Sequence, residues 1–240
     1  MASAPSQVAG AGQGAELEAH QKTYIELSLR SNVLKFGGPF TLKSGRQSPY
    51  FFNSGLFSSG EAIAQVASSY AAAIVRSGVE FDVLFGPAYK GITLAASTAL
   101  ALFREHGVNV DFAHNRKEAK THGEGGSLVG ASLAGKRVLI IDDVITAGTA
   151  INESTAILAT QPGAKLVGIV IALDRQERAA TDDADEDKRS AIQKVEQNYG
   201  VKVTSVCTLD HIITYLREQG GADEELAQME SYRARYGAQK

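Results

Sequence analysis

Val138-Leu139-Ile140-Ile141 is an apolar run with no polar residue on either face of the strand it would form, and it ends in two adjacent acids, Asp142-Asp143. Side chains alternate across a strand, so a strand that is apolar on both faces must be covered on both, as in a parallel sheet with helices on each side. Strand-like runs at 81–85, 108–113, 137–142, 167–173 and 201–207 alternate with helical periods at 92–105, 147–159 and 188–199. This pattern predicts an α/β, doubly wound, mostly parallel five-stranded sheet flanked by helices. In such sheets ligands bind outside the carboxyl ends of the strands, so the segments after 85, 142 and 173 are the places to look for chemistry.

Upstream of the sheet the pattern differs. Ile25, Leu29 and Val33 recur at helical spacing within 16–34. Gly37-Gly38-Pro39 then breaks the period, and Phe40-Thr41-Leu42, the turn signal Ser44-Gly45 and the string Tyr50-Phe51-Phe52 read as β-structure. A small N-terminal α+β hood is expected. Ser58-Ser59-Gly60-Glu61 has the S-x-x-E form of a capping box and opens a helix over 60–76. The expected organisation is a disordered tail over 1–15, helix and hood over 16–58, a core over 59–219 with a mobile loop at 115–127, and a C-terminal helix over 220–240. That last helix has acids early (Asp223, Glu224, Glu225) and Arg233 and Arg235 late, the order its macrodipole favours. The charge run 181–189 reads as a solvated insertion.

Composition narrows the function classes. With 24 Lys+Arg against 27 Asp+Glu the net charge is −3, which disfavours a dedicated nucleic-acid binder. No apolar run reaches the ~18 residues of a membrane helix; the richest, 94–103, contains Ser97 and Thr98. The first fifteen residues lack the basic and apolar regions of a signal peptide. The single cysteine, Cys207, cannot form an intrachain disulfide, and no Cys/His spacing suggests zinc, so a cytoplasmic setting is expected. At 240 residues, no fused barrel domain of ~250 residues is expected either. His20, His106, His114 and His211 suggest no partners.

The chemistry concentrates after the buried strand. Asp142-Asp143-Val144-Ile145-Thr146-Ala147-Gly148-Thr149-Ala150 brings two carboxylates to a strand end and then turns into a helix whose free N–H groups and hydroxyls form a phosphate cradle. Carboxylates repel phosphate, so this pair suits ribose hydroxyls or a metal carried by the ligand. An Asp-Asp pair alone would more simply end a strand and cap a helix; the Thr-Ala-Gly-Thr turn behind it favours the ribose-phosphate reading. Gly86-Pro87-Ala88-Tyr89-Lys90-Gly91 directs a second set of amides to the same sheet edge, although by itself it reads as an ordinary turn with an exposed lysine. Arg116, Lys117, Lys120 and His122 lie near Gly123, Gly125 and Gly126, a composition suited to ordering over a polyanion or to a plain solvated loop. Phe51 and Phe52 read as core in isolation; with Lys43 and Arg175 they offer an apolar wall and fixed positive charge for a planar anion.

The segment 141–149 resembles the phosphoribosyl pyrophosphate (PRPP) motif of type I phosphoribosyltransferases. Leu42-Lys43-Ser44-Gly45-Arg46, Tyr50-Phe51-Phe52-Asn53, the 85–91 turn, Asn115-Arg116-Lys117-Glu118-Ala119-Lys120 and Leu173-Asp174-Arg175-Gln176-Glu177-Arg178 are similar to motifs of the orotate phosphoribosyltransferases, in the same order, over about 16–236. The Asp-Asp motif specifies only the superfamily; the other elements are more specific. The resemblance implies transfer of ribose 5-phosphate from PRPP to N1 of orotate, giving orotidine 5'-monophosphate and pyrophosphate in pyrimidine biosynthesis. It implies catalytic roles for Lys120, His122, Asp142 and Asp143. PRPP would be held by Lys43, Tyr89, Lys90, Arg116, Lys117, Lys120, His122 and the segment Asp142, Asp143, Val144, Ile145, Thr146, Ala147, Gly148, Thr149, Ala150. Orotate would meet Phe51, Phe52, Thr146 and Arg175. Mg2+ would be held mainly by PRPP, with Asp142 or Asp143 within reach. A homodimer sharing Arg116 and loop residues across its interface is also implied, with no nucleic-acid or membrane partner. The family frequently carries Asp where Thr121 stands, which bears on loop dynamics. The competing readings are a PRPP-sensing regulator, which would not need the base clamp or basic loop, and a phosphoribosyltransferase for another base.

Overall fold

In the computed structural model the described residues are 17–42, 44–120, 126–146, 148–179 and 188–239, with the side chains of Ala119, Lys120 and Gly126 excepted. The buried strand of the sequence is β6 (Arg137–Asp142), and it is apolar on both faces for the expected reason. Val138, Leu139, Ile140 and Ile141 are all at most 1% exposed. Leu139 and Ile141 enter the larger core, while Val138 and Ile140 enter the one on the opposite face. Covering each such side chain contributes about 1.5–3 kcal/mol, so both helix layers are needed.

The main sheet has six strands in the order β5-β4-β3-β6-β7-β8, with β3 (Val83–Gly86), β4 (Asp111–Lys120), β5 (Gly126–Gly130), β7 (Lys165–Asp174) and β8 (Val203–Thr208). Five strands run parallel; β5 pairs antiparallel with β4. The α/β class is as expected, but the count is six rather than five, and Arg116 and Lys117 lie on a strand rather than in a loop. β4 continues beyond the helix-covered sheet as a ribbon with β5. A ribbon that projects past the core needs no apolar alternation, so hydrophobic patterning could not reveal it.

Helices α2 (Gly60–Ser77) and α3 (Lys90–His106) cover one face together with α1 (Ala19–Arg30) and α6 (Leu209–Gln219). The other face lies under α4 (Thr149–Ala159) and α5 (Ala191–Tyr199). The α2 cap is Ser59, whose hydroxyl accepts from the Ala62 N–H at 3.1 Å, one residue later than the S-x-x-E pattern placed it. Helix α1 is shorter than its apolar period: Asn32 turns left-handed at φ 56°, and β1 (Leu34–Thr41) begins where the helix was expected to end. β1 pairs antiparallel with β2 (Gln47–Phe52) to form the hood. The register shifts between Phe36 and Phe40, where Gly37 adopts φ 86° and a Cβ on Gly38 would lie 2.4 Å from the Ser48 carbonyl oxygen.

Helix α6 was not anticipated, although Thr208 and His211 form a capping box and Leu209, Ile212, Ile213 and Leu216 have helical spacing. His211 Nδ1 accepts from the Thr208 N–H at 3.2 Å, so this histidine is structural. The C-terminal helix α7 (Asp223–Tyr236) lays Met229 and the Tyr232 ring into the core beside the hood. Cys207 is buried, as expected of a small core residue. Among the described residues no helix is long and apolar enough to cross a membrane. The tail over 1–15 and residues 181–187 of the charge run lie outside the described residues.

Candidate active site

β3 has β4 on one side and β6 on the other, so the chain order reverses between β3 and β6 and a crevice opens at their carboxyl ends. The turn after β3 and the turn after β6 therefore share one edge, as the strand-end reading required. The first folds back on itself because two glycines allow it. A Cβ on Gly86 would lie 1.9 Å from the Gly91 carbonyl oxygen, and one on Gly91 would lie 2.7 Å from Pro87 Cδ. The Ala88–Tyr89 peptide is cis. Ala88 N–H donates to the Oδ1 of Asn115, a buried side chain at the end of the regular part of β4. Tyr89 is exposed.

Lys90 reaches across the crevice, its Nζ donating to Asp143 Oδ2 at 2.8 Å. Ser54, from the short turn after β2, donates its hydroxyl to the same oxygen at 2.5 Å. Asp143 Oδ1 accepts from the Val144 N–H, and Asp142 Oδ1 accepts from the Asp143 N–H, each at 2.9 Å. The Tyr70 hydroxyl, at the end of a fully buried side chain, donates to the Asp142 carbonyl at 2.8 Å and fixes the strand end from beneath.

The two acids are electrostatically unequal. Burial, reinforced by the neighbouring Asp143 charge, pushes the Asp142 carboxyl up to about 6. Burial acts on Asp143 in the same sense, but the hydrogen bonds from Lys90 and Ser54 outweigh it and hold that carboxyl below its ordinary value. Asp143 is thus the resident anion, and Asp142 is the group that a cation or a set of hydroxyls would help to ionise.

Beyond the acids, Gly148 stands at the N-cap of α4 with φ 75°, and among the described residues no side chain caps the helix. The first N–H groups of α4 are consequently open toward the crevice, an arrangement that favours an anion. Val144 and Ile145 are half-buried and pack against the two cores, whereas Thr146 and Thr149 are exposed.

The expected base-binding residues divide. Phe51 and Phe52 occupy opposite faces of β2: Phe51 lies 5.8 Å from the Phe40 ring, while Phe52 packs against the larger core. Arg175 follows β7, its guanidinium lying 4.6 Å from the centre of the Tyr50 ring and its Nε donating to Glu177 Oε1 at 2.8 Å. On the β4 arm, Lys117 pairs with Glu153 of α4 at 3.2 Å and Arg116 donates to the Leu128 carbonyl at 3.4 Å. Lys43, His122 and Ala147, and the Lys120 side chain, lie outside the described residues. A separate cleft of about 610 Å³, lined by His20, Arg76 and Lys202 among others, sits by the amino ends of β7 and β8 and contains none of these groups.

Sequence reasoning gave Ser54, Tyr70, Asn115 and Glu177 no role in the site, although Asn115 and Glu177 lie within the motifs quoted above. Asn115 gave a local signal, a polar residue closing a buried strand, and Glu177 stands two residues from Arg175; Ser54 and Tyr70 act through partners far away in the chain.

Comparison with known proteins agrees with this geometry. A phosphoribosyl transferase domain model matches residues 57–213. The orotate phosphoribosyltransferase of Thioalkalivibrio sulfidiphilus is 55% identical over 92% of this chain and 100% of that protein. The enzyme of that name from Vibrio parahaemolyticus is 52% identical over the same shares. The solved orotate phosphoribosyltransferase of Francisella tularensis is 42% identical, superposes with a TM-score of 0.79, and covers 90% of this chain and 99% of its own. A crevice with an acid pair, an uncapped helix and a lysine turn, set in a chain so similar along its length, places this protein in the orotate phosphoribosyltransferases of the type I phosphoribosyltransferase family.

Proposed function

We propose that this chain transfers the ribosyl 5-phosphate of PRPP to N1 of orotate, forming orotidine 5'-monophosphate and pyrophosphate, a reaction of pyrimidine biosynthesis. The observation that carries the proposal is the meeting at one sheet edge of Asp142-Asp143, the open amides of α4 and Lys90. In the reaction the C1–pyrophosphate bond breaks, positive charge builds on the ribose ring, and N1 of the anionic base forms the new bond with inversion. The leaving group is highly charged and the base already anionic, so catalysis is mainly electrostatic.

Each group then has a role. The α4 amides, with Thr146, Gly148 and Thr149, hold the 5-phosphate. Asp142 and Asp143 accept from the ribose hydroxyls and favour the cationic ring. Lys90 leaves Asp143 to meet pyrophosphate, where Tyr89, Arg116, Lys117, Lys120 and His122 join it as the β4–β5 arm closes and excludes water. Arg175 receives orotate beside the end of β2, where Phe51 and Phe52 present opposite faces, and Lys43 lies between the two ligands.

In this reading Mg2+ would arrive with PRPP, and Asp142 or Asp143 would lie within reach of it. The raised carboxyl of Asp142 fits such a guest, because a nearby cation relieves the repulsion from Asp143. When bound, Mg2+ would neutralise charge on the departing pyrophosphate.

A homodimer is part of the same reading. Leu100 and Phe103 are 57% and 58% exposed on α3. Phe112 is also exposed and is the register partner of Leu84, so it points to the same side of the sheet. Exposed large apolar side chains on this side of the sheet are suited to a second copy. The single, buried Cys207 is in keeping with the cytoplasmic setting of this reading. The deciding assay follows the loss of orotate absorbance on adding PRPP and Mg2+, then repeats it with a chelator and with uracil, adenine or hypoxanthine as acceptor. Turnover with orotate alone, abolished by chelation, is expected; turnover with another base in its place would overturn the substrate assignment.

A further inference from the structure

Glu177 has no role in the reaction just described, yet three groups converge on its carboxylate, which is only 12% exposed. Oε1 accepts from Arg175 Nε at 2.8 Å and from the Tyr50 hydroxyl at 3.3 Å. Oε2 lies 3.8 Å from Arg46 NH1. The Arg175 guanidinium is stacked 4.6 Å over the Tyr50 ring, with one terminal nitrogen 3.5 Å from the Ser48 hydroxyl. Tyr50 in turn meets the ring of Tyr232 on α7 edge-on at 6.2 Å. The Glu177 backbone bridges to Gly237, just past the end of α7. Three separate parts of the chain, the hood, the segment after β7 and the C-terminal helix, are clasped around one arginine.

An arginine on a flexible stem grips a planar carboxylate well only if the plane of its fork is set beforehand. Here Tyr50 fixes the plane from one side and Glu177 fixes rotation within it through Nε. Without the carboxylate, Arg46 and Arg175 would stand as two unbalanced cations in a mostly buried site and would repel each other. We infer that Glu177 is a positioning residue for the base, holding Arg175 in the orientation that receives the orotate carboxylate, with α7 as the back wall of that device. The inference rests on the reading of Arg175 as the orotate grip.

The test measures kcat and the KM for orotate and for PRPP in wild type, Arg175→Ala, Glu177→Gln and the double variant, with Tm recorded for each. Glu177→Gln is expected to raise the orotate KM about tenfold, the scale of one hydrogen bond to a charged group, while the PRPP KM stays within about twofold. Arg175→Ala should raise the orotate KM further, and adding Glu177→Gln to it should change nothing more. Equal rises in both KM values, or an undiminished effect of Glu177→Gln in the Arg175→Ala background, would show that Glu177 only supports the fold and would overturn the inference. An unchanged orotate KM in Arg175→Ala would instead refute the assignment of Arg175, and the inference with it. If Glu177→Gln does not fold, Tyr50→Phe removes one bond to the carboxylate and keeps the ring. It should raise the orotate KM alone, by about threefold, and no rise would overturn the inference.

Discussion

At the start of β6, Arg137 donates to Asp82 at 2.9 Å and to Glu80 at 2.8 Å. Its own N–H also reaches Asp82 at 2.8 Å. The hydrogen bonds from the Arg137 side chain and backbone hold the Asp82 carboxyl down at about 2. At the other end of the same strand, Asp142 and Asp143 stand side by side, Lys90 pairs with Asp143, and burial pushes Asp142 up to about 6. The amino edge is satisfied by its own residues, whereas the carboxyl edge is arranged so that a ligand completes it. Perturbed carboxylates arise at both ends, so perturbation alone does not mark a site; its direction and the open amides beside it do.

Substitutions at the two ends should separate accordingly. Changing both Asp142 and Asp143 to Asn should lower kcat/KM for PRPP by about 10³, since the ribose loses both acceptors and the developing charge loses its counter-ion. Lys90→Ala should lower it by about 10², the effect of removing one group that stabilises charge. A rate within threefold of wild type in either variant would remove that group from the reaction.

The pH dependence of stability gives a smaller, signed effect. Asp142 is raised from its ordinary value of 3.8 to about 6 in the folded chain, so the folded state holds the proton more tightly within that window. The stability this group contributes is fully present below the window and is lost as pH rises through about 6. Asp142→Asn cannot ionise, so the Tm of the variant relative to wild type should climb by a few degrees between pH 4 and pH 7. A flat difference across that range would show that Asp142 is not the raised group. The smallest effect is expected at the other end: Arg137→Ala should lower Tm by a few degrees at most and leave both KM values within about twofold, because an exposed ion pair contributes little.

The same contrast between local and distant partners explains what could be read in advance. The β6 strand and the Asp142–Thr149 turn were legible because the information is contiguous: an apolar run, two acids, a glycine. The β4–β5 ribbon was not, since its residues outside the core obey no hydrophobic period. Helix α6 had a readable capping box at Thr208 and His211 that was passed over. Ser54 meets Asp143 across 89 positions and Tyr50 meets Glu177 across 127, and nothing in either local segment announces the partner. Arg175 was legible as a cation after a buried strand, and Glu177 stands two residues on, but the Tyr50 and Tyr232 rings that complete its setting became visible only once the hood and α7 were in place.

Amide hydrogen exchange of the full chain, with and without PRPP and Mg2+, tests most directly the claim that the carboxyl edge is the site awaiting a ligand. Protection should rise in the 86–91 turn and in 142–150, with no change around Asp82 and Arg137 at the opposite end of β6. Unchanged exchange at both carboxyl-edge turns, or protection that appears at the Asp82–Arg137 end, would contradict the account.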